Sequence, residues 1–156
     1  MSIKGKAFIA GAYEHPDREI PGKSLARVHA EVATGALEDA GLSFSDVDAY
    51  LCAGDAPGFG AMSMAEYLGL GLKYMDTTET GGSSYVAHVG HAAAAIAEGK
   101  CSVALITLAG QPRTNRMGEM ASMAGRFMSA PESGFEFPFG PSIISMYALA
   151  AQRHMY

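Results

Sequence analysis

Seven of the eleven positions from Ala87 to Ala97 are alanine or glycine, and this stretch limits the possible fold more than any other. An amphipathic surface helix carries bulky apolar residues on one side and charges on the other. Here small residues run round nearly the whole circumference, so other backbones can approach closely on several sides. Such a helix belongs in the interior. It needs cover on more faces than a chain of 156 residues readily supplies.

The elements around it follow in regular order. Ala7 to Tyr13 is a short apolar run that ends in the turn-like His15-Pro16-Asp17, which suits a buried strand. Pro21-Gly22 then breaks the chain and Ser24 offers an N-cap. Apolar residues recur at Leu25, Val28, Val32, Ala33, Ala36, Leu37 and Ala40, and Gly41 stops the helix. Val47 to Ala53 reads as a second strand, left through Gly54-Asp55-Ala56-Pro57-Gly58. Ser63-Met64-Ala65-Glu66 has capping-box spacing and starts a short helix. Tyr74 to Thr78 is β-prone, Ser83 to Gly99 is helical, and Val103 to Ala109 suits a fully buried strand. Strands alternating with helices predict an α/β fold with a mainly parallel sheet.

After Gly110 the character changes, so residues 1–110 are expected to form the α/β core and residues 111–156 the start of a loop and substrate-binding region. Gln111 to Pro141 carries Arg113, Arg116 and Arg126, a run rich in Met from Met117 to Met128, and Phe135-Glu136-Phe137-Pro138-Phe139-Gly140-Pro141. An amphipathic helix follows, with Ile143, Ile144, Tyr147, Ala148 and Ala151 on its apolar side. Its pattern is still running at Tyr156, which suggests the leading part of a longer protein or one half of an assembled pair.

Composition narrows the function classes. A net charge of −5 and a pI of about 5.4 give no overall positive field for a phosphate backbone, so nucleic acid is not the expected partner. Cys52 and Cys101 both lie in apolar runs and read as reduced core thiols. The first six residues lack the apolar segment of a signal peptide, and no stretch approaches the roughly 18 apolar residues of a membrane span. A cytoplasmic protein is expected.

Glu79-Thr80-Gly81-Gly82-Ser83-Ser84-Tyr85 is the most informative constellation. A glycine pair permits a tight turn, and the free N–H groups at the start of the following helix suit an oxyanion, an anion or a carbonyl oxygen. A plain turn capped by Ser83 or Ser84 is the competing reading. The spacing fits neither a dinucleotide fingerprint nor a Walker motif. His88 and His91 share one side of the same helix, but no supporting ligands lie at metal-binding spacing, so no metal site is expected and packing histidines fit better. The three arginines suit either a nucleotide phosphate or a solvated loop face, and the methionines either core or an adaptable groove.

Several of these segments together resemble a known family. Ala36-Leu37-Glu38-Asp39-Ala40-Gly41-Leu42, Asp46-Val47-Asp48 leading to Gly54, and the Gly-Gly-Ser-Ser turn into an alanine-rich helix ending Ala97-Glu98-Gly99-Lys100-Cys101 resemble the N-terminal half of the thiolase superfamily. The flavour is that of lipid-transfer, sterol-carrier-type proteins, whose loop region Phe137 to Pro141 and Tyr147 to Met155 also resemble. The resemblance implies a five-layer fold of two similar halves, with the Gly82 to Gly99 helix buried between two sheets. It also implies a homodimer joined near Tyr74 to Thr78. The implied substrate is a coenzyme A thioester, with no bound cofactor. Only the first half is covered; that half's fifth strand and the second half's catalytic histidine lie outside these residues.

In thiolases the acyl-carrying cysteine stands where this chain has Gly82. Glycine cannot attack an acyl group, Ser83 and Ser84 have no identifiable base, and Cys52 and Cys101 stand elsewhere in the pattern. The catalytic group therefore stays unassigned. A coenzyme A pocket with an enolate-stabilising helix end suits a retro-aldol cleavage. By resemblance, cysteine-free steroid side-chain aldolases of this type work with a small OB-fold partner. This implies a β-hydroxyacyl-CoA with a bulky apolar acyl part. The implied substrate-binding residues are Gly81, Gly82, Ser83, Ser84, Tyr85, Phe139 and Met146. The alternatives are an acetyl-CoA acetyltransferase-like acyltransferase and a non-catalytic lipid or acyl-CoA binding subunit.

Overall fold

A computed structural model describes residues 3–111, 113–114, 131–139 and 142–156. The chain divides into two compact units, Met1–Thr114 and Asn115–Tyr156.

The first unit is an α/β structure. Its helices are α1 (Leu25–Ala40), α2 (Ala61–Leu68) and α3 (Ser84–Ala97), and its strands are β1 (Ala49–Leu51), β2 (Tyr74–Asp76) and β3 (Ala104–Ile106). The sheet order is β2-β1-β3, with both pairings parallel. Tyr50 stands between Met75 and Leu105 in register. Side chains alternate across the central strand, as a pleated strand requires. Tyr50 and Cys52 pack with Ala33, Leu37, Ala61 and Met64 under α1 and α2, while Ala49 packs with Ala95 and Cys101 under α3.

Helix α1 has the boundaries its punctuation predicts. Ser24 accepts a bond from the Arg27 N–H at 3.2 Å, and Gly41 adopts a left-handed φ of 68°, which a side chain would resist. Helix α2 begins two residues before the predicted serine, with Gly60 as its N-cap. Ser63 lies inside the helix and accepts from the Phe59 N–H at 2.9 Å, so the expected capping box does not form.

Helix α3 is covered along one stripe, Ser84, His88, Ala92 and Ala95, while Val86 is 77% exposed. The small residues let α3 sit close to Ala49 and Ala104, and among the described residues no second layer covers its other faces.

The expected strand at Ala7 to Tyr13 is a correction. These residues make no ladder, and Phe8 and Ile9 are 84% and 80% exposed. They are held against α1 instead: the Ala12 N–H donates to Asp39 Oδ2 at 2.9 Å, and Gly11 lies against Ala36 and Ala40. A cavity of about 980 Å³ separates this segment from Ser102–Gly110, walled also by Val32 and Ala36 of α1 and Val89 and Ala93 of α3.

The second unit holds α4 (Ser133–Glu136), a 3-10 turn (Phe137–Phe139) and α5 (Ile143–Met155). Two short helical pieces thus occupy part of the expected loop. Ser142 caps α5 by accepting from the Ser145 N–H at 3.0 Å. The predicted apolar side of α5 is open within its unit, with Ile144 83% and Tyr147 74% exposed. Arg116, Arg126 and the Met117–Met128 run lie outside the described residues.

Candidate functional site

Three parallel strands deliver their carboxyl ends to one edge, where sites gather in open α/β sheets. The segments leaving β1, β2 and β3 meet there, and two carboxylates tie them together. Glu79, after β2, accepts from the Gly54 N–H at 2.5 Å and from the Gly81 N–H at 2.8 Å. Asp55, after β1, accepts from the Ala109 N–H at 2.9 Å and from the Tyr85 hydroxyl at the start of α3.

The glycine turn is built around Ser84. Its buried hydroxyl accepts from the Thr80 N–H at 2.8 Å and donates to the Gly81 carbonyl at 2.6 Å. Ser83 is the N-cap by position, but its hydroxyl donates to the Thr80 carbonyl at 3.0 Å and makes no bond to the helix N–H groups. Gly81 has a φ of 71°, which favours glycine; Gly82 has no such conformation, is exposed, and a Cβ there would meet nothing within 4 Å. Neither backbone nor packing therefore demands glycine at position 82. The absence of a thiol there is a chemical property of the chain.

Beneath this edge runs a buried polar chain. The Tyr50 hydroxyl lies 2.6 Å from Thr107 Oγ1, which lies 2.8 Å from His29 Nδ1, and His29 Nε2 approaches Asp55 Oδ2 at 3.4 Å. His29 and Tyr50 are fully buried. Tyr50 donates to Thr107 and Thr107 donates to His29 Nδ1, which puts the ring proton on Nε2, a buried atom that lies beside Asp55 without a hydrogen-bond partner. The reverse tautomer would set a lone pair beside the Asp55 carboxylate. Burial lowers the His29 pKa, against the opposing pull of the Asp55 charge, so the ring is held neutral. Burial, then the Asp55 charge, pushes the Cys52 thiol up to about 12, which removes it as a nucleophile near neutral pH. Both cysteines are free and buried, as the sequence suggested.

Both α3 histidines are bonded, but only His88 is a buried packing residue, the His91 side chain being 43% exposed. His88 Nε2 donates to the Thr78 carbonyl at 3.0 Å, leaving its buried Nδ1 without a hydrogen-bond partner. His91 Nδ1 lies 2.5 Å from Asp76 Oδ2. Burial raises the Asp76 pKa, but bonds from Thr78 and His91 outweigh it and hold the carboxyl below its ordinary value. Among the described residues no three His, Cys, Asp or Glu side chains gather into a metal-holding set.

The structure thus gathers Gly81, Gly82, Ser83, Ser84 and Tyr85 at one edge, whereas Phe139 and Met146 belong to the other unit, 86% and 41% exposed. Sequence reasoning missed Asp55, His29 and Thr107 as members of this edge. Asp55 read only as a turn residue. The available signal for His29 was a polar residue beside Val28 on the apolar side of α1.

Over an alignment 159 positions long, which covers 99% of this chain, the sequence is 30% identical to 17-hydroxy-3-oxo-4-pregnene-20-carboxyl-CoA lyase from Mycobacterium tuberculosis (strain ATCC 25618 / H37Rv). The chain spans about two fifths of that relative, 41% of its length. Among solved structures, a chain described as Ltp2-ChsH2(DUF35) aldolase superposes with a TM-score of 0.54 at 24% identity, over 72% of this chain and 31% of its own. That likeness shows a shared fold. No protein-family profile matches the sequence.

Proposed function

We propose that this chain is part of a lyase of the thiolase superfamily that cleaves a carbon–carbon bond in a β-hydroxyacyl-CoA by a retro-aldol reaction. The observation that carries the reading is the alignment of 99% of the chain with a carboxyl-CoA lyase. Gly82 at the head of α3 supports it, because a covalent acyl-enzyme has no thiolate there, and the Cys52 thiol is buried with its pKa pushed up to about 12. The reaction needs a base for the β-hydroxyl and stabilisation of a thioester enolate, and the carboxylate-bearing strand edge beside the start of α3 offers both kinds of group.

In this reading the acyl group is bulky and apolar, Gly81 to Tyr85 bind the substrate, and a small OB-fold protein is the partner. A homodimer forms through Tyr74 to Thr78, supported by the place of β2 at the edge of the sheet with Met75 48% exposed. The reading places the protein in the cytoplasm, in keeping with its two free buried cysteines; no helix among the described residues is long and apolar enough to cross a membrane. The test is to incubate the full-length protein, with and without the partner, with β-hydroxyacyl-CoA substrates and follow the products by mass spectrometry. A ketone or aldehyde together with a shortened acyl-CoA is the expected result. Thiolysis of a 3-oxoacyl-CoA through an acyl-protein adduct would instead establish the acyltransferase alternative, and tight binding without turnover the non-catalytic one.

A further inference from the structure

The buried polar chain under the strand edge has more organisation than packing requires. Tyr50, Thr107 and His29 are bonded in series and end beside the Asp55 carboxylate, with His29 Nε2 3.4 Å away, and the Ala109 N–H and the Tyr85 hydroxyl donate to that carboxylate. Tyr85 differs from the other members in position: it is only partly buried, and it lines the 980 Å³ cavity. Tyr85 therefore links the wall of that cavity to a fixed carboxylate. A phenol that donates to a carboxylate keeps its own oxygen lone pairs available to a donor arriving from the cavity. A hydroxyl is such a donor; an anion is not, since Asp55 and Glu79 make this edge negative.

We infer that Tyr85 and Asp55 are the proton-transfer pair of the cleavage reaction, Tyr85 receiving the proton of the substrate's β-hydroxyl while its own proton passes to Asp55. The inference rests on the retro-aldol reading above. As the hydroxyl proton leaves, the O–H electrons form the new carbonyl, the Cα–Cβ bond breaks, and its electron pair enters the thioester enolate. The enolate carbon then takes a proton back from Tyr85, and Asp55 returns the phenol's proton. The substrate thus gives a carbonyl compound and a shorter acyl-CoA with no net gain or loss of protons.

The groups facing the Tyr85 phenol are Asp55 and Cys52 from the β1 end, Glu79 from the turn before α3, and His88 one turn along, its ring edge-on at 5.8 Å. Burial and then the hydrogen bond and charge of Asp55 raise the Tyr85 pKa, so the phenol keeps its proton well into the alkaline range.

The experiment uses the full-length protein with a β-hydroxyacyl-CoA that the wild type cleaves. Tyr85→Phe keeps the ring and is expected to lower kcat by about 10²–10⁴, the usual contribution of an acid–base group, with KM within about threefold. Replacement of Tyr85 by 3-fluorotyrosine keeps the hydroxyl but makes its oxygen a weaker proton acceptor, and is expected to lower kcat severalfold while KM stays unchanged. Tyr85→Phe activity within about tenfold of wild type overturns the assignment. If that variant does not fold, a kcat unchanged by fluorination overturns it instead. A wild-type protein that binds β-hydroxyacyl-CoA but never cleaves it refutes the underlying lyase reading, a separate failure from loss of the pair alone.

Discussion

Replacing Thr107 by valine tests the direction of the buried hydrogen-bond chain. The substitution keeps shape and removes one hydroxyl, yet that hydroxyl serves two partners, the Tyr50 phenol at 2.6 Å and His29 Nδ1 at 2.8 Å. Both partners have 0% exposure, so water cannot replace the lost contact without a rearrangement. A buried polar group left unpaired costs about 1–3 kcal/mol. Two such groups give roughly 2–6 kcal/mol, and the contact of Tyr50 with Cys52 offers the phenol a weak substitute, which favours the lower half of that range. Tyr50→Phe removes a donor at the end of the chain and leaves Thr107 bonded to His29, so its cost is about 1 kcal/mol. Equilibrium urea unfolding of the two variants and their double mutant measures the difference. The expected order is Thr107→Val well above Tyr50→Phe, with the double mutant less destabilised than the sum because Tyr50 no longer brings an orphaned hydroxyl. Equal losses, or a larger loss for Tyr50→Phe, would refute Thr107 as the hydroxyl that accepts from Tyr50 and donates to His29.

Three other expectations follow from particular residues. Gly82→Cys should fold with stability within about 1 kcal/mol of wild type and expose a thiol that alkylates rapidly, while Cys52 stays unlabelled in the native protein; mass mapping after iodoacetamide checks both. Gly11→Ala should destabilise by about 1–3 kcal/mol, because its new Cβ would lie 2.4 Å from the Ala36 carbonyl oxygen, and thermal unfolding reads the loss. The neutral His29 should make stability fall as pH drops below the ordinary histidine range: its folded pKa is depressed, so the unfolded chain takes the proton first, and the loss is complete below the folded pKa. Glu31, held down to about 2 by Arg27, Lys23 and His15, adds a second loss that begins as pH falls past the ordinary glutamate value and completes near 2, resolved by unfolding titrations with His29→Phe and Glu31→Gln.

Much of the fold could be read from local punctuation. The serine and glycine at the ends of α1, the apolar recurrence between them and the strand–helix alternation all act within a few residues, and there the prediction matches. Ala7 to Tyr13 has the composition of a strand, but composition does not say whether a ladder partner stands beside it. The site divides the same way. The Gly81 to Tyr85 turn was visible because it is contiguous. Asp55 with Ala109 and His29 with Thr107 are bonds across 54 and 78 residues, which only the fold brings together.

The outer strands of the sheet, β2 and β3, each have a ladder on one side only among the described residues, and Phe8 and Ile9 stand exposed across the cavity from β3. Unsatisfied edges of this kind recruit strands from other chains. The consequence is colloidal. In a polypeptide limited to these residues, concentration will govern solubility through edge-to-edge association more than through loss of the folded core, and agents that block backbone pairing will keep it dispersed better than agents that only screen charge.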